Sequence, residues 1–316
     1  SDQVGGYTIL VTPDGPSDRV VQSTGFSPSN NPNSRGYSTA TIEAMVRLSK
    51  LAGPGHGVMG EESVRMDGFG DGETPKLDSY DSRQGPYDPN TARANVRLGT
   101  NASDERSVTL TGPVTIRGDV VLGPGSDPTQ TLWMAPKEWV TIKGSVSVSP
   151  QRLQLEPVEM PLLPDEGLLQ IAGNDFVTLP GGQYRFREIH IAGHGQLVFT
   201  GPAEVYVEED VHISGNGIRT ADQLPTNLSL YVTGTTVNIH GRTDLYVKVV
   251  APSATVKLAG DISLFGQVSG REIIVNGGGA IHYDEALNLY DEALNPPRDS
   301  DLLRATLLSW SEVDAE

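Results

Sequence analysis

One short motif recurs along the middle of the chain and limits the folds that the sequence can adopt. It consists of an apolar residue, any residue, a second apolar residue, any residue and then glycine. This two-residue alternation is the period of a β-strand, and the glycine permits a turn after it. The copies are PVTIRG (Pro113–Gly118), WVTIKG (Trp139–Gly144), EIHIAG (Glu188–Gly193), DVHISG (Asp210–Gly215), TVNIHG (Thr236–Gly241), TVKLAG (Thr255–Gly260) and EIIVNG (Glu272–Gly277), with a weaker copy in LLQIAG (Leu168–Gly173).

The spacing of these copies favours a right-handed parallel β-helix. Their glycines lie about 17 to 29 residues apart, as expected if each coil contributes several short strands. An antiparallel β-sandwich is the alternative, but sandwiches usually show clear two-residue hairpin turns. In a β-helix, one continuous aliphatic column would form from the inward pairs Val114/Ile116, Val140/Ile142, Ile189/Ile191, Val211/Ile213, Val237/Ile239, Val256/Leu258 and Ile273/Val275.

The two ends of the chain differ from this repeat. Residues 1–55 contain three alternating apolar segments, which predict a small antiparallel sheet that must pack on something else. Residues 56–285 hold the predicted β-helix. Residues 286–316 hold a predicted short capping helix, based on the tandem YDEALNL and YDEALNP, and a final strand that could extend the N-terminal sheet.

Composition narrows the class of function. The 316 residues carry a formal net charge of −17, which disfavours binding to nucleic acid or to anionic lipid. The chain has no cysteine, so disulfides and thiolate chemistry are excluded. No apolar stretch approaches the roughly 20 residues that a membrane-spanning helix needs. These features suggest an exported protein that is extracellular or on the cell surface.

Two segments carry a resemblance to known families. A strand ending in STG, followed by a loop and then by TATIEAMVRL, is similar to the sheet of PilX-type minor pilins of type IV pilus systems. The second half resembles a bacterial surface domain of unassigned function, through VTIRGDVVLGPG, SLYVTGTTVNIHG and GGGAIHYDEAL. The resemblance implies a pilin-like fold for the N-terminal sheet. It also implies a surface-associated protein that is anchored or assembled through an N-terminal hydrophobic helix, which this sequence does not contain.

The stretch LDSYDSRQGPYDP contains the first candidate site. Asp78, Asp81 and Asp88 offer the several oxygen ligands that calcium requires, so calcium is a candidate cofactor. The alternative is structural: the Asp and Ser side chains accept hydrogen bonds within turns, and Tyr80 and Tyr87 cover an open end of the β-helix.

The second candidate site contains histidine. His190 and His212 occupy the same position in EIHIAG and DVHISG, so they should be neighbours on adjacent coils. They could share a transition metal such as zinc, or form a surface ladder without any ion.

Evidence for catalysis is weak. Glu204 and Glu208 point outward in an acidic run, as the paired carboxylates of a polysaccharide lyase or hydrolase would. No glycine-rich phosphate loop, G-x-S-x-G or H-E-x-x-H motif accompanies them.

The sequence therefore predicts a non-enzymatic, structural or adhesive, pilus- or filament-associated protein. Its expected partners are other pilin-like or filament subunits, including copies of itself, and surface polysaccharide. A carbohydrate-binding or polysaccharide-active β-helix is the alternative.

Overall fold

The computed structural model describes residues 5–14, 18–29, 31–50, 55–69, 76–153, 155, 158–288 and 303–313. The chain is mainly β, with antiparallel and parallel sheets, as predicted. It divides into two units: Ser1–Gly53 together with Leu289–Glu316, and Pro54–Asn288. The division falls between Gly53 and Pro54, and the last segment groups with the first. No helix among the described residues is long and apolar enough to cross a bilayer.

Strands account for most of the regular structure. They are, in chain order, β1 (Gly6–Asp14), β2 (Asp18–Ser27), β3 (Ser38–Lys50), β4 (Gly55–Asp67), β5 (Leu77–Tyr80), β6 (Val96–Thr100), β7 (Val108–Thr111), β8 (Val114–Ile116), β9 (Asp119–Leu122), β10 (Leu132–Ala135), β11 (Val140–Ile142), β12 (Val146–Val148), β13 (Leu168–Ile171), β14 (Phe176–Leu179), β15 (Gly182–Phe186), β16 (Glu188–Ile191), β17 (Gln196–Phe199), β18 (Ala203–Val207), β19 (Val211–Ser214), β20 (Gly217–Thr220), β21 (Leu228–Val232), β22 (Thr236–Gly241), β23 (Asp244–Gly260), β24 (Ser263–Asn276), β25 (Ala280–Asp284) and β26 (Leu303–Val313).

Helical structure is sparse among the described residues. The four-residue helix α1 spans Pro128–Thr131, and 3-10 turns span Ser82–Gln84, Lys137–Trp139 and Pro225–Asn227. Residues 286–288 are helical, where the C-terminal helix was predicted to begin. The rest of that predicted helix lies outside the described residues.

The first unit is an antiparallel sheet with the strand order β1-β2-β3-β26. Strand β26 thus extends the N-terminal sheet. Cross-strand partners share a face of a sheet, and the register places Ile9 opposite Ser23, and Ser23 in turn opposite Ile42. The same face carries Tyr7 and Trp310. Tyr7, Ile9, Val11, Ile42 and Trp310 are all exposed, and we call these five residues the apolar face.

The second unit is a stack of parallel strands, with strands of successive levels directly hydrogen-bonded. From one end to the other, the levels are β13–β14, β15–β17, β18–β20, β21–β22, β23, β24, β25 with β4, β5–β7, β8–β10 and β11–β12. The order in space is therefore not the order in the chain. The chain enters this stack in its middle, runs to one end, crosses to the other end and returns to the middle.

One level of the stack is built from two distant parts of the chain. Strand β25 lies on the first part of β24, where Phe265 pairs with His282. Strand β4 lies on the second part of β24, where Ile273 pairs with Val64. The N-terminal and C-terminal ends of this unit therefore complete a single level between them.

The core consists of apolar columns that run along the stack. One column contains Leu169, Ile189, Val211, Val237, Val256, Ile273, Val64, Val108 and Leu132, each paired with the next. Five of the seven predicted inward pairs share this wall. The predicted single column is wrong for Val114/Ile116 and Val140/Ile142. These pairs stack on Leu77 and Ile281, on another side of the levels.

The crossing segment, residues 149–167, joins β12 at one end of the stack to β13 at the other. The amide of Asn101 donates to the carbonyl oxygen of Leu153 and accepts from its N–H, both at 2.7 Å. Near the other end, Arg185 donates to the carbonyl oxygen of Leu163 at 3.0 Å, and Glu166 N–H donates to the carbonyl oxygen of Arg185 at 2.9 Å. Backbone groups of this segment thus find partners on the levels that they pass.

Close stacking of the levels explains why the repeated motif ends in glycine. Gly215 has φ of +81°, and a Cβ added there would overlap the carbonyl oxygen of Gly193 on the neighbouring level. Gly125 has the same φ of +81°, but no atom lies within 4 Å of its added Cβ. A comparison of alanine substitutions at the two positions therefore separates the energetic cost of backbone strain from that of a clash between levels.

We expect Gly125→Ala to lower the free energy of unfolding by about 1 kcal/mol, the cost of a left-handed conformation for alanine. We expect Gly215→Ala to cost roughly 2–4 kcal/mol, because the clash forces two levels apart. Chemical denaturation of both variants measures the difference. Equal losses would show that close stacking at this glycine contributes nothing.

Candidate functional site

The stretch LDSYDSRQGPYDP lies in the middle of the stack, on the level that follows β25. Asp78 is fully buried on β5. One of its carboxylate oxygens accepts a hydrogen bond from the Tyr87 hydroxyl at 2.8 Å, and the other lies 2.6 Å from Nδ1 of His282 on β25. Asp78 therefore links two segments that are distant in sequence, which is a structural role.

The other two candidate calcium ligands have local partners. Asp81 caps the turn Ser82–Gln84 and pairs with the Arg83 guanidinium at 2.6 Å. The hydrogen bond from that guanidinium holds the pKa of Asp81 below its ordinary value. Asp88 is exposed and accepts from the Asn90 N–H at 2.9 Å. Among the described residues, the three carboxylates do not converge on one point, and calcium binding here stays a prediction.

Further polar contacts join the same two segments. Lys76 is buried and donates to the carbonyl oxygens of Gly277 and Gly279. Burial lowers the pKa of Lys76 to about 8. Ser79 and Arg93 both donate to the Glu285 carboxylate, at 2.9 and 3.1 Å. We call this set of contacts, centred on Asp78 and His282, the junction.

Asp284 is a buried carboxylate beside these contacts, and only one of its two oxygens is hydrogen-bonded among the described residues. It is fully buried, and its Oδ1 accepts hydrogen bonds from the N–H groups of Ser82 and Ala286 at 3.0 Å. Its Oδ2 has no hydrogen-bond partner among the described residues. Burial raises the pKa of Asp284, because the charged carboxylate is poorly solvated there.

Aromatic rings cover the outer side of the junction. Tyr246, Phe265 and His282 lie on successive levels in register, with ring centroids 4.7 and 4.9 Å apart. The Tyr87 ring lies 4.0 Å from the His282 ring. The tyrosines of the stretch thus cover the side of a middle level, whereas the structural alternative placed them over an open end.

His190 and His212 are paired neighbours on β16 and β19, as the repeat predicted. Their ring centroids are 5.0 Å apart. The structure adds Glu188, whose Oε1 lies 2.7 Å from Nε2 of His190. One donor atom from each of these three residues lies within 4.8 Å of the other two. The signal for Glu188 was present in EIHIAG, because residues two apart on a strand share a face.

Both carboxylates of the predicted catalytic pair bond to neighbouring side chains. Glu204 accepts hydrogen bonds from Gln183 at 2.7 Å and from the Tyr206 hydroxyl at 3.1 Å. Glu208 forms an ion pair with Arg185. These contacts account for both carboxylates as surface ladder residues, and the absence of catalysis stays a prediction.

His56 on β4 is a half-buried titratable group. Its Nε2 is buried and has no hydrogen-bond partner among the described residues. Burial, and secondarily the charge of Arg97, lowers the pKa of His56 to about 4. The folded protein therefore holds this imidazole neutral well below the pH at which a free histidine is protonated.

Loss of Asp78 should weaken the junction. We expect Asp78→Ala to lower the free energy of unfolding by roughly 2–4 kcal/mol, because Tyr87 and His282 lose their buried partner. Hydrogen exchange should quicken most at the Ile281 and Glu285 amides, which bond across the junction. Asp88→Ala is the matched control and should cost less than about 1 kcal/mol. Unchanged exchange at both amides in Asp78→Ala would contradict this role.

Acid should destabilise the protein through His56. Between pH 6.5 and 4 the unfolded chain binds a proton at this residue that the folded chain does not, so stability falls as the pH falls through this window. The loss is roughly 2–3 kcal/mol for a pKa shift of this size. His56→Gln should remove this part of the pH dependence in denaturation curves, whereas His194→Gln, at an exposed turn, should not. Parallel curves for wild type and His56→Gln would contradict it.

Comparison with known proteins gives a partial match. A family model described as "Domain of unknown function (DUF7305)" matches residues 183–290, a segment that includes Glu188, His190, His212 and β25. No curated protein matches the chain. The competence-associated pilin ComZ from Thermus thermophilus is similar at 11% identity, over 98% of this chain and 84% of that chain, with a TM-score of 0.24. A TM-score of this size does not establish a shared fold.

Proposed function

We propose that this protein is a non-enzymatic structural or adhesive protein, a pilus- or filament-associated subunit of the bacterial cell surface. The antiparallel sheet is its assembly contact, and the parallel stack presents outward polar residues to a ligand. The observation that carries the proposal is the apolar face of Tyr7, Ile9, Val11, Ile42 and Trp310.

The exposed apolar face is a candidate binding surface for a partner. Soluble proteins rarely expose contiguous apolar patches, and those that occur usually mark interaction sites. The opposite face of the same sheet carries polar residues such as Thr8, Thr24 and Thr41, and Leu10 and Val313 are also exposed there. A covering apolar segment from another pilin-like subunit, or from a second copy of this chain, would bury the five side chains. This arrangement agrees with the resemblance of the sheet to minor pilins.

We further propose that the parallel stack is a right-handed β-helix. Continuous pairing between levels supports a coil, and parallel crossover connections are almost always right-handed. A crystal structure with a left-handed winding would contradict this. Export to the cell surface is part of the same proposal, and the lack of cysteine and the net charge of −17 are compatible with it.

A carbohydrate-binding role is the second candidate. Tyr206 and Tyr231 occupy outward positions on adjacent levels, with stacked rings 5.0 Å apart, beside Glu204. Rows of aromatic rings next to carboxylates are able to stack on sugar rings. Binding of surface polysaccharide that is lost in Tyr231→Ala, without any turnover, would favour adhesion. Turnover would favour the polysaccharide-active alternative.

The proposed assembly role predicts that substitutions on the two faces of the sheet have different effects on assembly. We expect Ile9→Asp and Trp310→Asp to abolish incorporation into surface filaments, because a carboxylate would be buried without a partner. The matched controls Thr8→Asp and Ser311→Asp place the same charge on the opposite face and should assemble normally. Immunolabelling of sheared surface material measures incorporation, and circular dichroism checks folding. Equal incorporation of all four variants would contradict the proposal.

A further inference from the structure

Three side chains with metal-binding atoms meet on the outer surface of the stack. The parallel register sets His190 beside His212, and neighbouring parallel strands lie about 4.8 Å apart. Strand alternation places Glu188 on the same outward face as His190, two residues before it. The cluster therefore results from the same backbone pairing that builds the core.

The donor atoms already approach the spacing of a metal site. One donor from each residue lies within 4.8 Å of the others. The three residues are partly buried, with side-chain exposures of 40% for His190 and 25% for Glu188. The His212 ring makes no hydrogen bond to any described residue, so a lone pair is available without breaking a contact.

We propose that Glu188, His190 and His212 bind one divalent transition-metal ion of the zinc class. The ion has three protein ligands, two imidazole nitrogens and one carboxylate oxygen. A fourth position remains open to water or to an outside ligand. This site is distinct from the junction and does not depend on the proposed role of the antiparallel sheet.

The chemistry of the donor set selects the class of ion. Zinc favours imidazole nitrogen and carboxylate oxygen in four-coordinate sites, whereas calcium requires six to eight oxygen ligands. Two nitrogens and a single carboxylate fit the first description. Calcium should therefore neither fill the site nor compete for it.

Binding requires only a small rearrangement. Tetrahedral ligands of zinc, with bonds of about 2.0–2.1 Å, lie roughly 3.3 Å from one another. The distance of 2.7 Å between Glu188 Oε1 and His190 Nε2 must therefore widen. The widest separation within the cluster, up to 4.8 Å, must shrink. Rotations of the Glu188 and His212 side chains would make both adjustments while the parallel ladder keeps the backbone in place.

Titration of the full chain with zinc and cobalt tests the proposal. After treatment with a chelator and its removal, calorimetry with Zn²⁺ should give one site per chain. Co²⁺ should give the visible absorption bands of a tetrahedral site, and added Zn²⁺ should bleach them. His190→Ala and His212→Ala should each weaken Zn²⁺ binding by about tenfold or more, with a smaller loss in Glu188→Gln. A tenfold excess of Ca²⁺ should leave the cobalt spectrum unchanged.

Matched controls separate this site from adventitious binding by histidine. His194→Ala and His240→Ala remove histidines from nearby turns and strands that are outside the cluster, and both should keep wild-type affinity. The five variants alter outward side chains, and their unfolding curves without metal establish that each is folded. Absence of saturable one-to-one binding in the wild type would overturn the proposal. So would unchanged affinity in a folded His190→Ala/His212→Ala double variant.

Discussion

Hydrogen bonds between parallel strands of successive levels are the interaction on which the larger unit depends. Each level uses its backbone donors and acceptors to hold the next level, and the apolar columns follow from that register. Pairing between levels continues even where one level is built from two distant parts of the chain, because β25 and β4 both pair with β24. The Ile281 N–H donates to the carbonyl oxygen of Lys76, and the Glu285 N–H to that of Tyr80. The buried Asp78–His282 contact at this place, together with the contacts of Lys76 and Glu285, adds side-chain bonds to the backbone pairing of two distant chain segments.

The sequence predicted the elements of this unit better than their order. The motif with its glycine correctly identified Ile189, Val211, Val237 and Ile273 as inward residues, because period and phase are local properties. It could not show that Ile273 stacks on Val64. That pairing joins residues at opposite ends of the unit, and any level with an aliphatic pair could stack equally well on any other.

For the candidate sites too, local features could be predicted from the sequence and long-range contacts could not. The pairing of His190 with His212 could be predicted, because both occupy the same position in consecutive copies of the motif. The role of Asp78 could not, because its partner His282 is 204 residues away in the chain. A run of aspartates and tyrosines in a loop has the same local appearance whether it binds calcium, caps a coil or joins two strands. Here the long-range partner shows that Asp78 joins two strands, and calcium binding stays a prediction.

The crossing segment has a consequence for how such a chain can change in length. A new level adds about 4.8 Å to the axis, and one extended residue spans about 3.3 Å, so a crossing that keeps its present conformation gains roughly one to two residues for each level added. Without such an insertion near residues 149–167, duplication of one motif copy at either end would straighten the crossing and shift its contacts with the levels. The number of levels and the length of the crossing segment are therefore coupled.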